Sequence, residues 1–256
     1  MRTVRAVNIA CCLFTAAILL LLNIFIDARV YAFDETPQGK IVYLTFDDGP
    51  IPIVTDKILD VLKAEDIKAT FFVVGKEIEE REQILKRIYE EGHTIGLHTY
   101  THNFNKLYRS SDIFISEMLK EQDMIRQLLD ITPKVVRFPG GSAGRMTQDL
   151  LDRLHNNEMK VFDWNVDLQD GVQDGISVQQ IVENGTNFNP KFSRVIILAH
   201  TNSNNMNTAK ALPEIIRYYK ERGYEFAPIG EDTKEYYYKI KGKSNKEPSP
   251  VHNIKK

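Results

Sequence analysis

Cysteine is nearly absent from this 256-residue sequence, and its two cysteines, Cys11 and Cys12, are adjacent and close to the N-terminus. This placement excludes a disulfide framework and a cysteine-based zinc site. Tryptophan occurs once, as Trp164, and neither sign of charge dominates, since the formal net charge is -2. A near-neutral charge gives no support to a nucleic-acid partner. With 43% hydrophobic residues, the composition excludes a disordered, a collagen-like and a polytopic membrane chain.

One long uncharged run is present, from Ala6 to Ile26, and it follows Arg2 and Arg5. It is long enough to cross a bilayer as a single helix, which needs about 20 residues. Val30-Tyr31-Ala32 resembles a signal-peptide cleavage site. We therefore interpret residues 1–32 as a cleaved signal peptide or a retained membrane anchor, and both alternatives stay open. In either case the positive-inside rule predicts that the rest of the chain is exported.

The remaining chain divides into three segments by composition. Residues 33–39 are interpreted as a short polar linker and residues 40–231 as one domain with a single core. Residues 232–256 are interpreted as a disordered basic tail, because the end of the chain is rich in lysine and has almost no apolar periodicity.

Apolar strand patterns alternate with helical patterns throughout residues 40–231. The predicted strands are residues 41–46, 69–74, 94–98, 135–138, 159–166, 194–200 and 224–229. Seven strands alternating with helices predict an α/β fold with a parallel sheet, and a closed barrel and an open doubly wound sheet both fit this pattern.

Polar residues recur where the predicted strands end, which is where α/β barrels carry their catalytic groups. These residues are Asp47, Asp48, His98, His102, Arg137, Asp163, Asp167, Asp170 and His200. Carboxylate, imidazole and guanidinium groups at five strand ends favour an active site over simple solvation.

A metal site is the first chemistry that these residues predict. His98 and His102 lie four residues apart and can share an ion, although such a pair also occurs as two ordinary surface or core histidines. Together with a carboxylate from a neighbouring strand they leave positions open, as in catalytic zinc sites, and iron or cobalt also suits this ligand set. Of Asp47 and Asp48, one can bind the ion while the other accepts a proton from water, and a capped turn is the alternative. His200 can act as a general acid.

Four motifs in this order carry a family resemblance. They are Thr45-Phe46-Asp47-Asp48-Gly49-Pro50, His98-Thr99-Tyr100-Thr101-His102, Arg137-Phe138-Pro139-Gly140 and Leu198-Ala199-His200. The sequence resembles the polysaccharide deacetylase family (the NodB homology domain), and within it the peptidoglycan N-acetylglucosamine deacetylases. The resemblance implies a distorted (β/α)7 barrel and metal-dependent removal of N-acetyl groups from amino sugars.

The resemblance also implies a role for each motif residue. Asp47 is similar to the family's general base, and Asp48, His98 and His102 are similar to its metal ligands. Arg137 holds Asp47, His200 protonates the departing amine, and Asp170 orients His200, with Asp163 as the rival for that role. Gly140 and Leu198 are assigned to substrate and oxyanion binding, with a backbone N–H of the third motif as the oxyanion donor.

Two positions depart from the family pattern. Gly140 stands where the family usually has tyrosine, and Gly171 stands where it usually has tryptophan after Asp170. Both changes remove an aromatic side chain, so they leave the expected chemistry in place and put the substrate preference in question.

The leading hypothesis is therefore an exported hydrolase that removes N-acetyl groups from cell-wall glycan, with peptidoglycan N-acetylglucosamine as the first substrate. The alternative substrates are chitin oligomers, another poly-N-acetylglucosamine, muramic acid residues and O-acetyl xylan. A non-catalytic glycan-binding module is a third hypothesis. We expect a divalent metal, zinc first and otherwise cobalt, iron or nickel, in a monomer that contacts the membrane only if the N-terminal segment is retained.

Overall fold

A computed structural model describes residues 39–172, 175–189 and 192–240, in which strands and helices alternate along the chain. The strands are β1 Lys40–Gly49, β2 Thr70–Val73, β3 Thr94–Leu97, β4 Val135–Val136, β5 Lys160–Val161, β6 Val166–Asp167, β7 Arg194–His200 and β8 Tyr224–Phe226. The helices are α1 Val54–Ala64, α2 Gly75–Ile78, α3 Glu82–Glu90, α4 Phe104–Leu107, α5 Ser111–Leu129, α6 Gln148–Asn156, α7 Val178–Thr186 and α8 Met206–Lys220. The expected signal or anchor segment and residues 33–38 of the expected linker lie outside the described residues.

The strands form one parallel sheet in the order β5-β4-β3-β2-β1-β7-β6, and β8 pairs with the beginning of β1. Within the described residues no ladder joins β5 to β6, so the sheet is a half-barrel with helices on its outer side. This arrangement confirms the predicted distorted (β/α)7 barrel.

Both faces of the sheet are buried, as expected for parallel strands covered by helices. On β1, Val42, Leu44 and Phe46 belong to the large core cluster that includes the helices. A smaller cluster lies on the opposite, inner face of the sheet and consists of Tyr43, Phe72, Val135, Phe162, Trp164, Ile196, Leu198 and Ile229. Because side chains alternate along a strand, Thr45 and Asp47 point to the same inner face as Tyr43.

The predicted strand at residues 159–166 is divided into two short strands, β5 and β6. Between them the Asp163 N–H donates to the Tyr236 carbonyl, and the carbonyls of Phe162 and Asp163 accept from the Arg137 guanidinium. The backbone here therefore bonds to a buried side chain and to the C-terminal segment, in addition to the bonds from the Phe162 N–H to the Val136 carbonyl of β4 and from the Asn165 N–H to the Ile196 carbonyl of β7.

Residues 232–240 differ from the expected disordered tail, because they pack on the domain. Tyr236 forms a bridge with Phe162, the Tyr238 hydroxyl donates to the Trp164 carbonyl, and Ile240 is buried. The rest of the expected tail, residues 241–256, lies outside the described residues. The helices that the structure describes include none that is both long enough and apolar enough to cross a membrane.

Candidate active site

The register of the sheet brings the predicted site residues to one edge. Asp47 on β1 is directly paired with His200 on β7. Two strands further along, Leu97 is paired with Val136, so His98 and Arg137 follow side by side at the ends of β3 and β4. Residues that are far apart in sequence thus converge because parallel strands end at the same edge.

A β-bulge explains how two consecutive aspartates both reach the site. The pairing of β1 with β2 shifts between Asp47 and Gly49, and Asp48 has a left-handed backbone with φ 73°. In a regular strand Asp47 and Asp48 would point to opposite faces of the sheet. A bulge redirects the side chain of its extra residue, and bulges are common beside active sites.

Asp48, His98 and His102 form a group whose ligand atoms all lie within 4.8 Å of one another. Asp48 Oδ1 is 3.5 Å from His98 Nε2 and 3.2 Å from His102 Nε2. Among the described residues this buried oxygen has no hydrogen-bond partner. Two imidazoles, one carboxylate and a buried oxygen without a partner fit a catalytic divalent metal, which keeps three protein ligands and leaves positions open.

Neighbouring groups orient two of these three side chains, His98 and Asp48. His98 Nδ1 lies 2.9 Å from the Arg137 carbonyl, which can only accept, so Nδ1 carries the proton and Nε2 is free to bind a cation. Asn202 Nδ2 donates to Asp48 Oδ2 at 2.9 Å, which holds the second oxygen of that carboxylate. Burial raises the pKa of Asp48, but the nearby imidazoles of His98, His102 and His200 outweigh it and lower the pKa.

Asp47 is buried against Arg137, which is itself fully buried. Arg137 Nη1 donates to Asp47 Oδ1 at 2.9 Å and to Thr45 Oγ1 at 2.6 Å. The other carboxylate oxygen, Asp47 Oδ2, is 3.6 Å from His98 Nε2, so it faces the histidine and aspartate group. One oxygen of Asp47 is therefore fixed and the other is available at the site.

His200 is held by Asp170. Asp170 Oδ1 lies 2.8 Å from His200 Nδ1. The Thr208 hydroxyl donates to Asp170 Oδ2 at 2.7 Å, and the Asn205 amide donates to the Asp170 backbone carbonyl at 2.8 Å. Burial alone would lower the pKa of His200, but the hydrogen bond and charge of Asp170, with Asp47 and Asp48 nearby, raise it to about 9. At neutral pH His200 is an imidazolium and can give up a proton.

Asp163, the rival for contact with His200, lies elsewhere. Its carboxylate accepts the N–H and the hydroxyl of Ser142 and the N–H of Tyr238. Burial raises the pKa of Asp163, while these hydrogen bonds oppose the rise. Asp163 therefore connects the segment after the third motif, at Ser142, to the C-terminal segment, at Tyr238. Of the two aspartates, only Asp170 contacts His200.

Comparison with known proteins is consistent with this geometry. The sequence profile of the family described as polysaccharide deacetylase matches residues 34–162. A peptidoglycan-N-acetylglucosamine deacetylase of Bacillus cereus is 35% identical over 200 residues, which cover 77% of this chain and 71% of that protein. This chain belongs to the polysaccharide deacetylase family.

Solved structures of family members also have folds similar to that of this chain. The polysaccharide deacetylase Bc1974 from Bacillus cereus is 34% identical with a TM-score of 0.70, and the match covers 78% of this chain and 96% of that chain. The catalytic domain of a peptidoglycan N-acetylglucosamine deacetylase from Eubacterium rectale is 27% identical with a TM-score of 0.73, covering 80% and 96% respectively.

At the first departure from the polysaccharide deacetylase pattern, another aromatic residue lies nearby. A Cβ atom added at Gly140, which has φ +68°, would lie 3.1 Å from Phe104 Cε1 and 3.2 Å from Arg145 Nη2. Phe104 is 45% exposed, and its ring packs edge-on against His102 with centroids 5.2 Å apart. An exposed aromatic face therefore borders the site without the usual tyrosine. Leu198, by contrast, is buried in the inner cluster below the site.

At the second departure, the missing side chain makes room for His200. A Cβ atom added at Gly171 would lie 2.5 to 2.7 Å from three atoms of the His200 ring, which is closer than real contacts allow. With this backbone, the ring can lie where it does because residue 171 is glycine.

The sequence did not indicate several of the residues that surround the site, namely Phe104, Glu117, Glu121 and Thr208. Glu121 is the most unusual of these, because it is a fully buried carboxylate on α5 that accepts from the His98 N–H. Burial raises its pKa well above the ordinary value, while the N–H groups of His98 and Thr99 oppose the rise. A glutamate in the apolar stripe of a helix is the sequence feature that could have identified it.

Proposed function

We propose that the chain is a metal-dependent N-deacetylase of cell-wall glycan, with peptidoglycan N-acetylglucosamine as its first substrate. The observation that carries this proposal is the convergence at one sheet edge of a candidate metal group, a fixed carboxylate and a protonated imidazole. The similarity to peptidoglycan-N-acetylglucosamine deacetylases supports the substrate class. The N-terminal apolar segment supports export to the cell wall.

Asp48, His98 and His102 would hold the divalent cation, for which zinc is the first expectation. The cation would supply Lewis-acid polarisation of the acetamide carbonyl and of the attacking water. Asp47, fixed through Oδ1 by Arg137, accepts a proton from that water through Oδ2. The backbone N–H of Gly140, which is an exposed residue, is the proposed donor to the developing oxyanion.

His200 completes the reaction by donating a proton to the amine nitrogen as the bond from carbon to nitrogen breaks, which releases acetate and the free amino sugar. Its Nδ1 is held by Asp170, so Nε2 is the atom that donates. The pKa of about 9 keeps this proton in place at neutral pH until the leaving group needs it.

The substrate side of the proposal rests on Phe104. We expect this ring to contact the sugar face where the family's tyrosine is missing, with Arg145 beside it. Because both Gly140 and Gly171 lack the usual aromatic side chain, chitin oligomers, other poly-N-acetylglucosamine, muramic acid residues and O-acetyl xylan belong in the same substrate panel.

The test measures acetate released from purified peptidoglycan and from each panel member. Wild type should release acetate from peptidoglycan, and Asp47→Asn should lose about 10²–10⁴-fold in rate, as expected for a general base. Asp152→Asn on α6 is the matched control, because Asp152 is exposed and, among the described residues, accepts a side-chain hydrogen bond only from Gln148 on its own helix. Binding of peptidoglycan with no acetate release from any substrate would instead favour a glycan-binding module.

A further inference from the structure

The loop from His98 to His102, which carries two of the three proposed metal ligands, adopts an unusual backbone. Thr99 has φ 76° and His102 has φ 51°, both in the left-handed region. Non-glycine residues are uncommon there, and a β-branched residue such as threonine is a genuine outlier. The only bond that the loop supplies to itself between these residues is from the His102 N–H to Thr99 Oγ1 at 3.1 Å. Something outside the loop must therefore hold this conformation.

Helix α5 provides side-chain contacts to the loop, in addition to the N–H groups of Gly75 and Lys76 on α2, which donate to the Thr99 and Tyr100 carbonyls at 3.2 and 2.8 Å. The His98 N–H donates to the Val73 carbonyl of β2 at 3.0 Å and also lies 3.2 and 3.1 Å from the two carboxylate oxygens of Glu121. Glu117 Oε2 accepts the Thr101 N–H at 2.7 Å. Residues four apart on a helix lie on the same face, so the carboxylates of Glu117 and Glu121 both contact the loop. Glu121 contacts the loop at the proposed ligand His98, and Glu117 contacts it at Thr101, next to the proposed ligand His102.

The burial of Glu121 is difficult to explain by packing. It lies in the apolar stripe of α5 with Phe114, Met118 and Ile125 and is 0% exposed. In the part of the chain that the structure describes, no lysine, arginine or histidine forms an ion pair with it. A buried polar group costs stability unless it is hydrogen-bonded, and the Glu121 carboxylate accepts from the backbone N–H of the proposed metal ligand His98.

We propose that Glu117 and Glu121 are positioning residues that hold the His98–His102 loop in its metal-binding conformation. This proposal rests on the proposed metal site. Partners that orient metal ligands through hydrogen bonds typically change metal affinity by about 10–100-fold when removed. Here the bonds reach the backbone of the ligand loop instead of the imidazole rings.

The test compares metal affinity among folded variants of the protein. Glu121→Leu removes the acceptor at similar volume, whereas Glu121→Gln keeps one acceptor oxygen. Zinc affinity is measured by competition with a chromophoric chelator, and the absorption spectrum of the cobalt-loaded protein reports the ligand geometry. We expect Glu121→Leu to bind about 10–100-fold more weakly with an altered cobalt spectrum, and Glu121→Gln to bind within a few-fold of wild type.

Two further variants keep the test decisive. Glu117→Ala is the second test, since Glu117 is only half-buried and its removal leaves the core intact; it should also weaken zinc binding, and Glu117→Gln should restore it. Met118→Ala is the matched control on the same helix, because it disturbs the core without touching the loop. It should lower Tm and leave zinc affinity unchanged.

Unchanged zinc affinity in both Glu121→Leu and Glu117→Ala would overturn the positioning role, as would an equal loss in Met118→Ala or in Glu121→Gln. These results are distinguishable from failure of the proposed function, because the wild-type protein would then bind no zinc and release no acetate.

Discussion

Asp170 holds His200 at two points, with Oδ1 2.8 Å from the ring Nδ1 and Oδ2 accepting the backbone N–H at 3.0 Å. The same carboxylate fixes the ring orientation and stabilises its protonated form. Asp170 therefore sets the position of the proposed general acid and is the largest contributor to its positive charge, with Asp47 and Asp48 adding to it.

Replacing Asp170 with asparagine should change the pH dependence of deacetylation. The protonated form of His200 is the active one, so activity falls as pH rises through its pKa. Removing the Asp170 charge lowers that pKa from about 9 towards its ordinary value, so the alkaline limb of the kcat/KM profile should move to lower pH. The rate at neutral pH should fall by about 10²–10⁴-fold.

Asp163→Asn is the control for this prediction, because Asp163 bonds to Ser142 and Tyr238 instead of to His200. Its alkaline limb should stay where it is in the wild type. A shift in Asp163→Asn with none in Asp170→Asn would reverse the assignment of the two aspartates.

Adding one methyl group at Gly171 should impair catalysis by displacing the His200 ring. The new Cβ would lie 2.5 Å from His200 Cε1, so the ring must move. We expect Gly171→Ala to lower kcat by about 10²-fold, the loss that a displacement of about 1 Å can cause. Zinc affinity should not change. Gly230→Ala is the control, since a Cβ there meets only Thr233 Oγ1 at 3.9 Å; equal kcat in both variants would contradict the prediction.

Removing the ring of Phe104 should weaken binding of the polymer and spare the chemistry. Phe104→Ala should raise KM for the glycan about 2- to 10-fold, because an aromatic contact contributes about 0.5–1.5 kcal/mol. The kcat value for a small acetyl ester should remain near that of wild type. Tyr89→Ala removes another exposed aromatic residue, on α3, and should leave both values unchanged. A fall in kcat with unchanged KM would mean that Phe104 does not contact the sugar.

Arg137 should matter for stability as well as for activity. Its guanidinium donates to Asp47, to Thr45 and to two backbone carbonyls while fully buried. Arg137→Met leaves the Asp47 charge without its partner and should lower the free energy of unfolding in urea by about 3–5 kcal/mol. Arg153→Met removes exposed ion pairs to Asp112 and Asp149 and should leave the free energy of unfolding nearly unchanged. Similar losses in the two variants would argue against the buried network.

The strand ends were predictable from sequence because parallel strands leave a simple pattern. Apolar runs that end in Asp47, His98, Arg137 or His200 mark the edge where those residues meet, and the register of the sheet pairs Asp47 with His200. Spacing and residue type were therefore enough to propose a metal group and an acid.

Other features depend on three-dimensional contacts that leave a weak pattern. The bulge at Asp48 arises from a shift in the pairing of β1 with β2, and no local sequence pattern predicts that shift. Residues 232–240 have little apolar periodicity, yet they pack because Tyr236 and Tyr238 find partners beside Asp163. Glu121 is one polar residue in an apolar helical stripe, and its role is visible only once the His98 backbone lies against it.

Acetate release from peptidoglycan during metal removal and back-titration tests the central claim most directly. The account predicts that a chelator reduces release to background and that added zinc restores it, with full activity at one ion per chain. Asp48→Ala should not recover under the same conditions. Undiminished acetate release by the metal-free protein would contradict the account.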